Sequence, residues 1–225
     1  MKKLIAIGCS YTEDRYEFPV WPTHLAERLD MNCVNLGHGG SGNEQILAKI
    51  LDTVLTEKNI GLVVVMWSQF QRFDFQRSDS QWVSLNPYID KECSMGVCNL
   101  QALHDVHSAT QNALRIFIFA ENILKDIPHL YIQGTHPVDK TSRISAAKSL
   151  INSFYFDYIE NNISKYFIGW PIFSGLGGYS WDSFLDKIDT ERNELRISEE
   201  DLHPNDKAHK MITHEIYNVY DKIND

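Results

Sequence analysis

The chain of 225 residues is 43% hydrophobic, 12% aromatic and 23% charged, which supplies a sizeable core and excludes a disordered, collagenous or coiled-coil protein. Its 21 Lys and Arg against 30 Asp and Glu leave a formal charge of -9, which repels phosphate and argues against nucleic acid or an anionic membrane as partner. With about 100–200 residues per domain as the usual size, the length predicts one domain over 1–225.

Leu4, Ile5, Ala6 and Ile7 form a short apolar run ended by Gly8, the pattern of a strand buried on both faces. Trp21-Pro22 starts a helix whose inner face is Leu25, Ala26 and Leu29. Cys33 to Leu36 reads as a second strand closed by Gly37, and Ile46, Leu47, Ile50, Leu51, Val54 and Leu55 recur with helical period. Leu62 to Trp67 is the clearest buried strand. Farther on the pattern predicts a helix over 114–124, a strand over 129–133, a helix over 144–159, a strand over 166–170 and a last helix from 205 to 220. Between 173 and 201 the chain reads as irregular and rich in Gly, Ser and Asp.

Short apolar strands alternating with amphipathic helices give βαβ units with right-handed crossovers. The expected fold is therefore α/β, a three-layer α/β/α sandwich of flavodoxin-like type around a mostly parallel five-stranded sheet. Segments 70–103 and 175–199 interrupt the rhythm, and loops longer than about 12–15 residues in a compact domain tend to be binding elements. Cys9, Cys33, Cys93 and Cys98 are too few for a disulfide scaffold and contain no C-x-x-C pair; Cys93 and Cys98 are expected to stay unpaired. The apolar run at 4–7 is too short for the core of a secretion signal, and no stretch approaches the roughly 20 apolar residues of a membrane span, so a cytoplasmic location is expected.

Ligands of open parallel sheets sit beyond the carboxyl ends of the strands. Gly8-Cys9-Ser10-Tyr11-Thr12 follows the first strand; a serine there either presents its hydroxyl at the sheet edge among backbone N–H groups or caps the next helix. After the second strand, Gly37, Gly39, Gly40 and Gly42 open a loop whose amides can approach an oxyanion or a phosphate, without the Walker Lys-Ser/Thr. His203, beside Glu199, Glu200 and Asp201, has carboxylates near enough to orient an imidazole as general base.

His104 and His107 lack carboxylate partners for a metal, and His209 and His214 are five apart, off a common helix face; no metal or cofactor is implied. Trp67, Phe70, Phe73 and Phe75 line a cleft or belong to the core, and Arg72 meets a polar substrate or an acidic neighbour. Residues 177–181 read as a flexible rim beside the histidine loop.

Taken in order, Ser10, the Asn35-x-Gly37-x-x-Gly40 loop and the carboxylate–His203-Pro204-Asn205 segment resemble three of the sequence blocks of the SGNH (GDSL-like) hydrolases, with 66–69 as a degenerate third block. The resemblance covers most of the chain. It implies a carboxylic ester hydrolase with Ser10 as nucleophile, His203 as base, Gly40 as an oxyanion donor through its N–H, and Glu200 or Asp201 as the acid. Cys9 stands where the first block carries Asp, and a cysteine nucleophile there would leave Ser10 without a role. The third block lacks its Gly-x-Asn, so Gln69, or else Ser68, is expected to complete the oxyanion hole. Trp67 and Arg72 are the expected substrate contacts, and the substrate is a small-molecule or glycan ester. The alternative is a non-catalytic carbohydrate- or ligand-binding protein of the same fold.

Overall fold

The computed structural model describes residues 1–85 and 105–224; Cys93, Cys98, His104 and most of the first interrupting segment lie outside them. The chain runs β1 (Lys3–Gly8), α1 (Trp21–Leu29), β2 (Asn32–Asn35), α2 (Asn43–Thr56), β3 (Ile60–Trp67), β4 (Phe73–Gln76), β5 (Trp82–Leu85), α3 (Val106–Leu124), β6 (His129–Gln133), α4 (Arg143–Ile151), α5 (Phe154–Asn162), β7 (Phe167–Ile168), α6 (Trp181–Ile188) and α7 (Asp206–Asn224).

Five strands form one parallel sheet in the order β2-β1-β3-β6-β7. That is the flavodoxin-like order, with its switch point between β1 and β3. Because side chains alternate across a strand, Ile5, Ile7, Val63, Val65 and Trp67 project into one apolar layer with α2 to α5, while Leu4, Ala6, Leu62, Val64 and Met66 project into the other with α1, α6 and α7. The result is a three-layer α/β/α sandwich. Among the described residues no helix is long and apolar enough to cross a membrane.

Several elements differ from the sequence expectation. The helix expected over 144–159 is two, because Ser153 caps a new one through its hydroxyl, which accepts from the Tyr155 N–H at 3.2 Å. The strand expected over 166–170 shrinks to two residues, ended by Gly169 in the left-handed region. The segment after Phe70 forms an antiparallel hairpin, β4–β5. The irregular stretch near the C-terminus contains α6, started by a Ser180–Ser183 capping box. Within 177–181, Gly177 is exposed and takes a positive φ, while Ser180 and Trp181 are buried at the start of α6.

Trp67 is corrected as a substrate contact. It is fully buried, its ring 4.9 Å from Phe117 and 5.9 Å from Tyr131, and Phe70 is buried beside it. The last inward position of β3 belongs to the core because the strand is covered on both faces. Phe75, on β4, is 47% exposed.

Candidate active site

Ser10 follows β1, where the chain turns sharply: the Thr12 and Glu13 amides both donate to the Cys9 carbonyl, at 3.0 and 3.1 Å. The turn leaves Ser10 8% exposed and Cys9 buried beneath it. The loop after β2 is laced to this turn. Asn35 donates through Nδ2 to the Thr12 carbonyl at 2.7 Å and accepts from the Gly37 amide at 2.9 Å, and the His38 amide donates to the Gly8 carbonyl at 3.0 Å. Gly37 is required there because a Cβ would fall 2.5 Å from the Thr12 and Glu13 backbone. Gly40, at φ +82, lies exposed in the same loop in the left-handed conformation that glycine tolerates.

His203 is carried by a loop folded back on itself. Arg196 and Pro204 form an antiparallel bridge, the Ile197 amide donates to the His203 carbonyl at 3.0 Å, and Asn205 Nδ2 donates to the Glu194 and Arg196 carbonyls at 2.9 and 3.1 Å. The Ser10 hydroxyl lies 2.9 Å from His203 Nε2, and His203 Nδ1 lies 2.5 Å from Asp201 Oδ1. The Asp201 carboxylate also accepts from the His203 amide at 3.1 Å. Burial acts to raise its pKa, but these bonds from His203 outweigh it and hold the carboxyl below its ordinary value.

Of the two candidate acids it is thus Asp201 that meets the ring. Glu200, the other candidate, borders the cleft beside Ser10 and has its amide donating to Ser198 Oγ at 3.3 Å. A hydroxyl on one imidazole nitrogen and a carboxylate on the other is the arrangement that lets the ring accept the hydroxyl proton as it becomes a nucleophile.

The cleft above Ser10 is about 320 Å³ and is walled by Ser10, Tyr11, Arg72, Thr135, Leu202 and His203, with the two carboxylates of the histidine loop. Arg72 donates through Nη1 to the Ser41 carbonyl at 3.0 Å and to Ser68 Oγ at 2.8 Å, bridging the glycine loop and the end of β3. Ser68, the second choice for the oxyanion hole, does not line the cleft. It is fully buried, its hydroxyl accepts from Arg72, and its backbone is gripped by Asn43, whose Oδ1 accepts from the Ser68 amide at 2.9 Å. Gln69, next in the chain, is half-buried.

Among the described residues no three His, Cys, Asp or Glu side chains are grouped to hold a metal ion. His107 meets Ser149 Oγ at 2.8 Å, His214 lies on the surface near Arg28, and His209 is buried with Nδ1 accepting from the Trp21 amide at 3.3 Å.

The fold recurs in solved structures. An acetylxylan esterase from Geobacillus stearothermophilus, solved as a catalytic mutant, aligns over 97% of this chain and 94% of its own at 10% identity with a TM-score of 0.56. A G-D-S-L family protein from Desulfitobacterium hafniense DCB-2 aligns over 97% and 99% at 16% identity, TM-score 0.54. The fold is that of the SGNH hydrolases. A lipase/acylhydrolase from Enterococcus faecalis aligns over 99% and 97% at 13% identity, TM-score 0.51. No family model matches the chain, and no curated protein matches its sequence.

On this SGNH fold the sequence reading missed Thr135, Tyr11 and Arg196. Thr135 follows the carboxyl end of β6, where the strand-end rule points. Tyr11 and Arg196 carry no motif; their meeting, at 3.1 Å between Nη1 and the phenol oxygen, spans 185 positions of the chain.

Proposed function

We infer that the protein is a serine hydrolase of carboxylic esters. The observation that carries this reading is the Ser10–His203–Asp201 line, with 2.9 Å from hydroxyl to imidazole and 2.5 Å from imidazole to carboxylate.

In the reaction, His203 Nε2 takes the Ser10 proton as Oγ attacks the ester carbonyl, and Asp201 stabilises the imidazolium that forms. The tetrahedral oxyanion is held by the amides of Ser10 and Gly40 and by the Gln69 side chain, with the Arg72 guanidinium in the cleft wall supporting the developing charge. Collapse breaks the ester C–O bond, and the alkoxide leaves with the proton from Nε2. Water, deprotonated by the same nitrogen, then attacks the acyl carbon, and the bond to Oγ breaks as Nε2 returns the proton to Ser10, releasing the acid.

The lining of the cleft favours one class of ester in this reading. Among the described residues Leu202 is the one aliphatic side chain in its wall, and in that lining a long acyl chain would find little apolar surface to bury against. A short acyl group, such as acetyl, on a polar alcohol or glycan fits better.

Labelling with a fluorophosphonate and turnover of 4-nitrophenyl acetate test the reading. Wild-type protein should label at Ser10 and hydrolyse the ester, and Ser10→Ala should lose both, with turnover falling about 10⁴-fold or more while the fold is kept. An unlabelled, inert wild type favours a ligand-binding protein instead, and activity retained in Ser10→Ala moves the nucleophile elsewhere.

A further inference from the structure

Behind the cleft lies an ion-pair cluster that the proposed chemistry does not use directly. Arg196, 4% exposed, places Nη1 2.8 Å from Asp182 Oδ1 and Nη2 2.8 Å from Asp186 Oδ1, both carboxylates on α6. His136, in the segment after β6, closes the group: its amide donates to Asp182 Oδ2 and its Nε2 lies against Asp186 Oδ2, each at 3.0 Å. A buried cluster of this kind adds little net stability over an apolar one, because desolvation offsets the attraction. Its contacts outside the cluster give it a purpose.

The same Nη1 donates to the Tyr11 hydroxyl at 3.1 Å and to the Leu202 carbonyl at 2.8 Å. Tyr11 follows Ser10, and Leu202 lies between Asp201 and His203. One guanidinium therefore grips the neighbour of the serine and the link between acid and imidazole. The Tyr11 hydroxyl donates in turn to Asp182 Oδ1 at 2.5 Å. Burial and the nearby Asp182 push this phenol well above its ordinary pKa, so it keeps the proton it donates. The Tyr11 ring stands edge-on to the His203 ring, centroids 5.5 Å apart.

The nucleophile and the base come from opposite ends of the chain, and a displacement of about 1 Å between such groups can cost on the order of 10²-fold in rate. We propose that Arg196 is a positioning residue: by holding Tyr11 and the Leu202 carbonyl on one guanidinium anchored to Asp182 and Asp186, it sets the Ser10–His203 separation. The fork is needed for this. A lysine ammonium is a point charge on a flexible stem, with one nitrogen in place of the two that reach Asp182, Tyr11 and Leu202 on one side and Asp186 on the other.

The inference rests on the ester-hydrolase reading for its kinetic arm and has a structural arm independent of it. Arg196→Lys, Tyr11→Phe and the control Arg192→Lys are compared with wild type by turnover of 4-nitrophenyl acetate, by circular dichroism and by crystal structure. Arg192 pairs with Asp186 at the surface, at 2.8 Å, and touches neither Tyr11 nor Leu202. Arg196→Lys should lower kcat about 30- to 100-fold with KM within about threefold, Tyr11→Phe should lower kcat about 10-fold, and Arg192→Lys should stay within about twofold. In the Arg196→Lys crystal the hydroxyl–imidazole distance should exceed the 2.9 Å of the wild type by an amount that breaks the bond. A folded Arg196→Lys protein that keeps that distance, or keeps wild-type kcat, overturns the inference. If Arg196→Lys does not fold, unchanged kcat in Tyr11→Phe overturns it. An inert wild type defeats the ester reading alone, and the crystal distance still decides the positioning role.

Discussion

Asp201 precedes His203 by two residues, which gives the carboxylate a double duty. At this spacing it closes a local turn by accepting the His203 amide at 3.1 Å while the same oxygen meets Nδ1. Asp201→Asn would replace the acceptor with an amide that cannot stabilise the imidazolium, and turnover should fall about 10³- to 10⁴-fold with the fold intact. Glu200→Gln, which changes the neighbouring cleft carboxylate, should stay within about threefold. Parallel kcat measurements on the two variants separate the roles, and equal losses would contradict the assignment. The sequence narrowed the acid to this pair and could not choose, because the choice depends on which carboxylate the turn directs at the ring. The serine and the histidine were legible as motifs. Arg196 was not, since a buried arginine looks like any surface arginine until its partners on α6 and after β1 are folded around it.

The strand–helix alternation of the main sheet was legible because an apolar run of strand length bounded by glycine favours a buried strand, and apolar residues recurring every three or four positions favour an amphipathic helix. What escaped were elements whose stability comes from tertiary contacts. The β4–β5 hairpin has only four residues in each strand, and its purpose is visible only beside α2. Gly42, the residue before that helix, has no side chain to cap it, and Asp74 of β4 does the work from outside. Its carboxylate accepts the Gly42 and Gln45 amides at 2.9 Å each and also the Ser84 hydroxyl. Two otherwise orphaned helix N–H groups are thus satisfied by a residue about 30 positions away, next to the glycine loop that borders the site. Asp74→Ala should destabilise the protein by about 1–3 kcal/mol in urea unfolding. A loss below roughly 0.3 kcal/mol would mean water satisfies those amides equally well. Element boundaries shifted for the same reason: Ser153 splits one predicted helix because its hydroxyl offers a cap that apolar periodicity does not register.

At the scale of the molecule, stability against pH should reflect two groups displaced into the same window from opposite sides. Burial, reinforced by Asp74, pushes Glu44 up to about 7 from 4.5, despite the hydrogen bonds it accepts from its own amide and from Asn112. Burial, with the neighbouring His24 and His203 adding to it and Asp206 opposing, pushes His209 down to about 4 from 6.5. For Glu44 the unfolded chain releases its proton first, so this group favours the folded state below pH 4.5 and withdraws that support as pH rises through 7. For His209 the unfolded chain gains a proton first, so this group favours folding above pH 6.5 and withdraws support as pH falls toward 4. Between pH 4.5 and 6.5 the two slopes oppose each other, and their sum should be nearly flat. Single substitutions should expose each slope. In Glu44→Gln, stability should rise with pH across that window, from the remaining histidine. In His209→Gln, whose amide oxygen can still accept from the Trp21 N–H, it should fall with pH, from the remaining glutamate. Urea midpoints at half-unit pH steps would read both, and the double variant should restore a flat profile. Parallel profiles in the two single variants would mean that neither group is buried in the ionisation state this packing requires.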